Sequence, residues 1–463
     1  MSFLEKFEYS FRAILPSPFS IAIILTLLVF GLGYTVYDGN GFLAYSNEVS
    51  QAWEKDLWNS KLLAFAVQMM LMLILGHVLA LSKPVSNLLN RLISLCSSNF
   101  KAIFFCAFFT ILIALFNWGL GLIFGAIFAR KIAENASIKG IPINYPLVAA
   151  AGYSGLMVWH GGISGSAPIK VAEKGHLSSL GKSILDADSL AKLPEAITYD
   201  QSIFSSMNIF VSILLLIVVP FGLAFIAKFF KAVVPSIKSN SNRTETSSKL
   251  LFAEKIDQKS FLALSFGGLI LIYLVSKIWI LDSDAFWTFS FISPNFINLL
   301  LLSLALIFHS SIAQFLKALD FAIGGASGIL IQFPLYFGIM GIMKASGLIA
   351  HISEYLISIS TDFTFPLFTF FSAGLVNLFV PSGGGQWMVQ GPIILKAALS
   401  LNVPISKAVM ALAYGDQVTN MLQPFWALPL LGITKLKASQ ILPYTLICFV
   451  LGSFVFVLGL IIF

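Results

Sequence analysis

The feature that most constrains this sequence is a succession of apolar runs, each about twenty residues long, that recurs from one end of the chain to the other. A run of about twenty apolar residues can cross the hydrocarbon core of a bilayer as an α-helix. The composition agrees, because 58% of the 463 residues are hydrophobic and only 11% are charged. The runs are continuous and lack the period-two alternation of an outer-membrane barrel. The sequence therefore predicts an all-α polytopic membrane protein.

Charge and motif content exclude several other classes of protein. Basic cytoplasmic loops explain the formal net charge of +7, so no nucleic-acid partner is expected. The three cysteines, Cys96, Cys106 and Cys448, have neither metal-ligand spacing nor an even number, so we interpret them as packing residues. The chain has no Walker-type phosphate loop, so ATP coupling within it and a bound cofactor are not expected.

Loop charges predict the orientation of the spans. The segments 38–56 and 282–294 are acidic, which is typical of extracytoplasmic loops. The segments 82–101 and 228–259 are rich in lysine and arginine, which is typical of cytoplasmic loops. With a first outward helix near 19–37, the N-terminus is predicted to be cytoplasmic. The expected location is the bacterial inner (cell) membrane, with multiple passes through the lipid bilayer.

Two unusual stretches follow in the first half of the chain. The stretch 101–130 is too long for one ordinary crossing, is interrupted by FNWGLG from Phe116, and is basic at both flanks. A re-entrant helical hairpin explains these features together; one long tilted helix is the alternative. The stretch 145–168 begins as a helix and then breaks at WHGGISGSAP. Unwound backbone at membrane depth is tolerated only where it is buried in protein or lines a cavity.

The second half repeats the pattern of the first. A shift of about 261 residues places Tyr153 on Tyr414 and Pro168 on Pro429. An extra span near 261–281 makes the number of crossings between the copies odd, so the second copy is predicted to be inverted, as in many secondary transporters. The expected organisation is a first repeat over 1–230 (hairpin 101–130, broken helix 145–168), a cytoplasmic linker over 231–259, and a connecting helix with a second repeat over 260–463 (hairpin 363–395, broken helix 404–430).

The breaks concentrate glycine, hydroxyl and amide groups inside apolar sequence. Helix ends at such breaks leave N–H groups free for anions and carbonyl groups free for cations. The alternative is ordinary helix packing by small residues, which explains single glycines but explains Pro-Ser-Gly-Gly-Gly poorly. The candidate substrate-binding residues are Asn117, Trp118, Ser164, Ser166, Asn377, Ser382, Gly383, Gly384, Gly385, Gln386, Thr419 and Asn420.

Two ionisable residues lie in the breaks. Asp416 is the most informative, because a carboxylate at membrane depth is costly and usually functional. Asp416 could bind a coupling cation or carry a proton, or it could make a structural hydrogen bond. His160 could titrate near neutral pH or could be fixed by a hydrogen bond. No lysine or arginine is placed to pair with a substrate carboxylate, so an anion would depend on helix dipoles and neutral donors.

At these residues the chain resembles the short-chain fatty acid transporter family, the AtoE-like proteins. The resemblance spans about 300 of the 463 residues. It rests on FNWGLGLIFGAIFAR from Phe116, GGISGSAP from Gly161, QFPLYFGIMGIM from Gln332, VPSGGGQWMVQGP from Val380 and GDQVTNMLQPFWALP from Gly415.

The resemblance implies carriage of short-chain monocarboxylates such as butyrate or acetoacetate. The family is also similar, more distantly, to a wider superfamily of dicarboxylate and citrate carriers, in which a mobile domain moves like an elevator against a dimeric scaffold. This implies a possible homodimer, a coupling H⁺ or Na⁺, and a possible sodium position near Asn117 and Asn377. The Ser-Asn-Thr hairpin signature of the dicarboxylate carriers is absent, so their sodium stoichiometry is not carried over.

Two other functions remain to be compared with a secondary transporter. A carrier or channel for another small organic anion is the alternative, and a channel would give flux without saturation or exchange. An intramembrane enzyme would need a nucleophile with a base, or metal ligands at helical spacing, and the five histidines are scattered. We therefore predict a transporter that is not an enzyme.

Overall fold

The computed structural model describes residues 17–39, 41–182, 185–237, 252–280, 291, 293–380 and 383–463. Over these residues the chain forms helices and no β-strand, with one isolated bridge between Ile143 and Val233. The α-helices of the described residues are α1 Pro18–Thr35, α2 Gly41–Leu57, α3 Ser60–Leu81, α4 Lys83–Ile93, α5 Asn99–Phe116, α6 Trp118–Lys139, α7 Tyr145–Tyr153, α8 Ala167–Lys170, α9 His176–Gly181, α10 Ala187–Ala191, α11 Ser206–Ile226, α12 Phe252–Gln258, α13 Ser260–Trp279, α14 Pro294–His309, α15 Ile312–Ile323, α16 Ser327–Ala345, α17 Leu348–Ser358, α18 Phe365–Asn377, α19 Gly383–Ser400, α20 Ile405–Thr419, α21 Pro424–Thr434 and α22 Ala438–Ile462.

Six stretches of the described chain are long and apolar enough to cross a membrane: Pro18–Thr35, Ser60–Leu81, Asn99–Phe116, Ser206–Phe229, Ser260–Trp279 and Ala438–Ile462. The first, second and fifth of them coincide with the spans expected from hydropathy near 19–37, 62–81 and 261–281. The prediction of an all-α polytopic membrane protein is thereby confirmed. Of the linker predicted over 231–259, residues 238–251 lie outside the described residues, and the described part includes the short helix α12.

The acidic segment expected to be a loop contains a helix, α2. Its apolar residues Tyr45 and Val49 are fully buried, and Trp53 packs against Gly338 of α16. Its charged residues Glu48, Glu54 and Lys55 are exposed. This spacing makes α2 an amphipathic helix that packs along α16.

Two pairs of helices reverse direction where the sequence is rich in glycine and polar residues. After α5 ends, Asn117 caps α6, and Gly121 lies against Ala114, which is possible only if α6 folds back on α5. In the second pair, Gln386 of α19 donates a hydrogen bond of 2.8 Å to the carbonyl of Ala373 in α18. Both stretches predicted as hairpins, 101–130 and 363–395, are therefore formed by two helices in contact.

Two further stretches are interrupted, and the first interruption is wider than expected. The helix α7 gives way at Ser154 to two 3₁₀ turns, Ser154–Met157 and Trp159–Gly161, and regular helix returns only for the single turn α8. The second stretch passes from α20 through the 3₁₀ turn Asn420–Leu422 into α21. The inverted repeat and the domain boundaries stay predictions.

Close backbone contact between α6 and α7 depends on two glycines. A Cβ added at Gly125 would overlap the carbonyl oxygen of Gly152, and one added at Gly152 would overlap that of Gly125. Both opposing groups are backbone, so neither can rotate away. Small residues at such crossings let helices pack closely in a bilayer.

We therefore expect Gly125→Ala to reduce the free energy of unfolding by about 1–3 kcal/mol, because the helices must separate. The matched control is Gly268→Ala in α13, where a Cβ would have nothing within 4 Å. Thermal unfolding of the purified protein in detergent measures both. A Gly125→Ala protein as stable as the Gly268→Ala protein would contradict this packing.

Candidate functional site

A buried carboxylate and a buried imidazole lie in contact where the two interrupted stretches cross. Nδ1 of His160 is 2.6 Å from Oδ2 of Asp416, and the two side chains are 0% and 1% exposed. His160 comes from the 3₁₀ turn after α7, and Asp416 lies near the end of α20. Among the described residues, no lysine or arginine forms an ion pair with Asp416. We call these two residues the carboxylate–imidazole pair.

The backbone fixes which nitrogen of His160 carries a proton. The N–H of Ala167 donates to Nε2 of His160 at 2.9 Å, so Nε2 must present a lone pair. The proton of the neutral ring is therefore on Nδ1 and is donated to Oδ2 of Asp416. Asp416 must accept at Oδ2, so any additional proton bound by this carboxyl group has to lie on Oδ1.

Oδ1 of Asp416 is buried and has no hydrogen-bond partner among the described residues. A buried acceptor without a partner costs about 1–3 kcal/mol, and more when it is charged. The first residue of α19, Gly383, lies beside the pair: a Cβ there would be 2.8 Å from Cε1 of His160 and 3.1 Å from Oδ2 of Asp416. The N-terminus of α19, whose dipole favours negative charge, thus adjoins the carboxylate.

The unwound backbone that carries His160 is held by amide side chains. Oε1 of Gln417 accepts hydrogen bonds from the backbone N–H groups of His160 and Gly161, at 2.8 and 3.0 Å. Nδ2 of Asn208 in α11 donates to the carbonyl of Gly161 at 2.8 Å, and Oδ1 of Asn208 accepts from the hydroxyl of Tyr414 at 3.0 Å. Backbone groups freed from helical bonding are thus paired with protein groups, as the bilayer interior requires.

The ends of both helix pairs meet the stretch 160–166. In the first pair, the N–H of Trp118 donates to Oγ of Ser164 at 3.0 Å. In the second pair, a Cβ at Gly384 would lie 3.8 Å from Oγ of Ser166. The structure therefore brings together residues from three of the four breaks, Trp118, Ser164, Ser166, Gly383 and Gly384, around the carboxylate–imidazole pair.

Asn377 connects the second helix pair to the second interruption. Its Nδ2 lies 2.6 Å from the carbonyl oxygen of Asp416, 2.9 Å from Oγ1 of Thr419 and 2.9 Å from Oδ1 of Asn420. Nδ2 of Asn420 in turn donates to the carbonyl of Leu156 at 3.2 Å. These amides and hydroxyls join the second helix pair to both interrupted stretches.

The remaining predicted residues have structural partners or lie outside the described chain. Oδ1 of Asn117 caps α6 by accepting from the N–H of Leu120 at 3.0 Å. Gln386 is buried between α18 and α19, where it bonds Ala373 and Gln390. Gly385 lies in the first turn of α19. Ser382 lies outside the described residues.

Aromatic rings surround the pair on one side. The ring of Trp159 stacks on that of His160 with centroids 4.5 Å apart, and the Trp118 ring lies 6.0 Å from Trp159 and 5.4 Å from Trp426. A crevice of about 10 Å³ beside Trp118 is lined by apolar groups of α3, α6, α16 and α21. A cavity this small has no room for an alkyl chain in the present arrangement.

Three residues that position the site were not among the predicted site residues. Gln417 and Gln423 lie in the second interruption, where Gln417 accepts from the N–H of His160 and Gln423 donates to the carbonyl of Asn377. Asn208 was missed altogether, although an amide inside the apolar run SMNIFVSILLLIV is the signal that could have found it. Tyr153, used in aligning the two halves, donates its hydroxyl to the carbonyls of Asn420 and Gln423 at 2.8 and 3.0 Å.

A multi-pass membrane protein with two interrupted helices, whose polar residues converge at a buried carboxylate, has the construction of a membrane transporter. Comparison with known proteins agrees. Residues 4–463 match the sequence model described as "Short chain fatty acid transporter". The chain belongs to the short-chain fatty acid transporter family, and membership of this family implies a transporter.

Two relatives cover nearly the whole chain. A protein of Escherichia coli (strain K12), provisionally named a short-chain fatty acid transporter, is 35% identical over 458 residues, which are 97% of this chain and 96% of that protein. A protein of Haemophilus influenzae with the same provisional name is 33% identical over 458 residues, 96% of each chain. Among solved structures, MtrF from Neisseria gonorrhoeae, described within a class of antimetabolite efflux pumps, has 14% identity and a TM-score of 0.44 over 98% of this chain and 97% of its own. At that level of similarity MtrF carries no argument about the site.

The hydroxyl of Tyr153 gives a direct test of how the two interruptions are joined. We expect Tyr153→Phe to lower the free energy of unfolding by about 1–3 kcal/mol, because the buried carbonyls of Asn420 and Gln423 lose a donor. The control is Tyr336→Phe, because the equally buried hydroxyl of Tyr336 has no hydrogen-bond partner among the described residues. Denaturation in detergent, followed by tryptophan fluorescence, compares the two. Equal stability of both variants would contradict the role of Tyr153.

Proposed function

We propose that this protein carries short-chain monocarboxylates, such as butyrate or acetoacetate, across the bacterial inner membrane together with a proton. Family membership supports the substrate class. The observation that carries the coupling is the carboxylate–imidazole pair: Oδ1 of Asp416 is buried and has no hydrogen-bond partner among the described residues, and Oδ2 lies beside Gly383 at the N-terminus of α19. The substrate carboxylate would bind at the start of α19, at Gly383 and Gly384, near Ser164 and Ser166.

Charge repulsion links the substrate to the proton in this proposal. Two carboxylates about 4 Å apart repel each other by about 4 kcal/mol in a partly polar protein environment. A proton on Oδ1 of Asp416 removes that repulsion and also turns Oδ1 into a hydrogen-bond donor. Because Oδ2 is already an acceptor for His160, Oδ1 is the atom that would take the proton and donate to the substrate. The two negative charges would thus share one added proton, and one carboxylate would cross with one H⁺.

Proton coupling agrees better with the amide positions than sodium coupling does. Around Asn377, the oxygens of Asp416, Thr419 and Asn420 surround the amide nitrogen Nδ2, which stands where a cation would have to bind. Oδ1 of Asn117 is occupied by the N–H of Leu120. A sodium ion near either residue would require these hydrogen bonds to exchange, so Na⁺ is the alternative in the experiment below.

Transport in this proposal proceeds by alternating access. The crevice beside Trp118 holds about 10 Å³, so a substrate with an alkyl chain can enter only if the surrounding helices separate. The helix pairs and interruptions would move together against the remaining helices, like an elevator, in two inverted repeats and in a homodimer, with the N-terminus in the cytoplasm. A saturable carrier is distinguished from a channel by exchange of internal for external substrate.

Uptake of radiolabelled butyrate into proteoliposomes tests the proposal, with proton and sodium gradients imposed separately. Protein-free liposomes supply the blank, because the neutral acid crosses lipid unaided. We expect saturable uptake above the blank that is accelerated by an inward proton gradient and unaffected by sodium. Acceleration by sodium alone would contradict proton coupling, and non-saturable flux would favour a channel.

Asp416→Asn tests the coupling residue. We expect uptake driven by the proton gradient to fall about tenfold in this variant. Exchange of internal for external butyrate should persist, because an amide resembles the protonated carboxyl group. The control is Asp320→Asn, an exposed carboxylate on α15. An Asp416→Asn protein that responds to the proton gradient as the wild type does would remove Asp416 from the coupling step.

A further inference from the structure

A polar cavity of about 380 Å³ lies apart from the carboxylate–imidazole pair. It is lined by the C-terminal ends of α3 and α21, by the middle of α6 and by Phe321 of α15. Its volume is in the lower part of the range of about 300–1,000 Å³ that is common for small-molecule sites. Nothing in the function proposed so far uses it.

The cavity carries an excess of positive charge. Arg130, Lys131 and Lys435 line it together with one carboxylate, Glu134. Glu134 pairs with both Arg130 and Lys131, at 2.9 and 3.2 Å. Lys435 makes no ion pair with any residue that the structure describes. One acid therefore faces three bases, and such a concave basic surface attracts anions.

The cavity also offers an apolar wall and an unused polar atom. Ile127, Phe321 and Ile433 line it beside the basic groups. The ring of His77 lines it as well, packs on the ring of Phe321 at 5.6 Å, and has a buried Nδ1 without a hydrogen-bond partner in the described chain. Basic groups on one side and an apolar wall on the other match a ligand with one anionic end and a short hydrocarbon end.

Three helices connect this cavity with the crevice beside the carboxylate–imidazole pair. The helices α3, α6 and α21 contribute residues to both. Along α6, Trp118 lines the crevice and Arg130 lines the cavity, which places the two about 18 Å apart at 1.5 Å per residue. The cavity is the basic end of this path, and an abundance of basic residues is typical of the cytoplasmic side of a membrane protein.

We propose that this basic cavity is a second binding site for a short-chain monocarboxylate, at the cytoplasmic mouth of the transport path. Lys435 and Lys131 bind the carboxylate, and Phe321 and Ile127 contact the hydrocarbon chain. The inference rests on the proposed function for the identity of the substrate. If the site exists, the protein binds the anion twice along its path, once in the cytoplasmic cavity and once at the proton-linked step at Asp416. The direction of transport decides which comes first.

Transport measured from each side of the membrane tests this site. Right-side-out and inside-out vesicles are prepared from cells that produce the wild type, Lys435→Gln or Lys437→Gln. Lys437 is the matched control, because it is an exposed lysine two residues further on that does not line the cavity. For Lys435→Gln we expect the KM for butyrate on the cytoplasmic side to rise about fivefold, with the KM on the other side unchanged. An unchanged cytoplasmic KM, or an equal rise on both sides, would overturn the inference.

A binding measurement separates this inference from the proposed function. The thermal unfolding temperature of the purified protein is compared in butyrate and in butyramide, its neutral analogue. We expect butyrate, but not butyramide, to raise the unfolding temperature of the wild type. Lys435→Gln should reduce this rise, and Lys437→Gln should leave it unchanged. If the wild type gives no saturable uptake but this shift depends on Lys435, the site stands and the proposed function fails. If uptake is saturable and the shift is the same in all three proteins, the site is overturned and the proposed function stands.

Discussion

The burial of one carboxylate, Asp416, determines how the centre of this protein is built. A charged carboxylate in the apolar interior is destabilising unless it is paired and hydrogen bonded. His160 supplies the partner at 2.6 Å, and the N–H of Ala167 holds the imidazole in the tautomer that donates to Asp416. To bring His160 to the carboxylate and the N–H of Ala167 to the ring of His160, the backbone after Tyr153 has to leave the α-helix. The unwound stretch then requires hydrogen-bond partners of its own, which Gln417 and Asn208 provide.

The same requirement explains why both helix pairs end at this place. An unwound stretch is stable at membrane depth only when protein covers it. The end of the first pair covers it where the N–H of Trp118 donates to Ser164, and the end of the second covers it at Gly383, where the absence of a side chain permits close approach to His160. Structural and functional demands thus coincide. The groups that make the interruption stable surround the same carboxylate, whose Oδ1 has no hydrogen-bond partner among the described residues and is the atom to which the proposed function assigns the added proton.

Much of the fold follows from the sequence, because each helix needs its own apolar run and each interruption its own glycine, proline or amide. The reversal at Asn117 and the interruption before Pro424 are local features of this kind. The pairing of His160 with Asp416 is not, because the two residues are 256 positions apart and their contact depends on how the interrupted helices cross. The sequence left open whether each of them was structural or functional. Helix α2 was expected to be a loop, since its charged residues obscured the buried spacing of Tyr45 and Val49, and the basic cavity appears only when α3, α6 and α21 are brought together.

The most direct test of the central claim is the number of protons taken up when butyrate binds. Isothermal titration calorimetry of the purified protein near pH 7, in two buffers with different ionisation enthalpies, gives this number from the difference between the two binding heats. We predict uptake of about one proton for each butyrate bound, because the substrate carboxylate and Asp416 cannot both remain charged in contact. Binding heats that are identical in the two buffers would mean that no proton accompanies the substrate, and would contradict the role assigned to the carboxylate–imidazole pair.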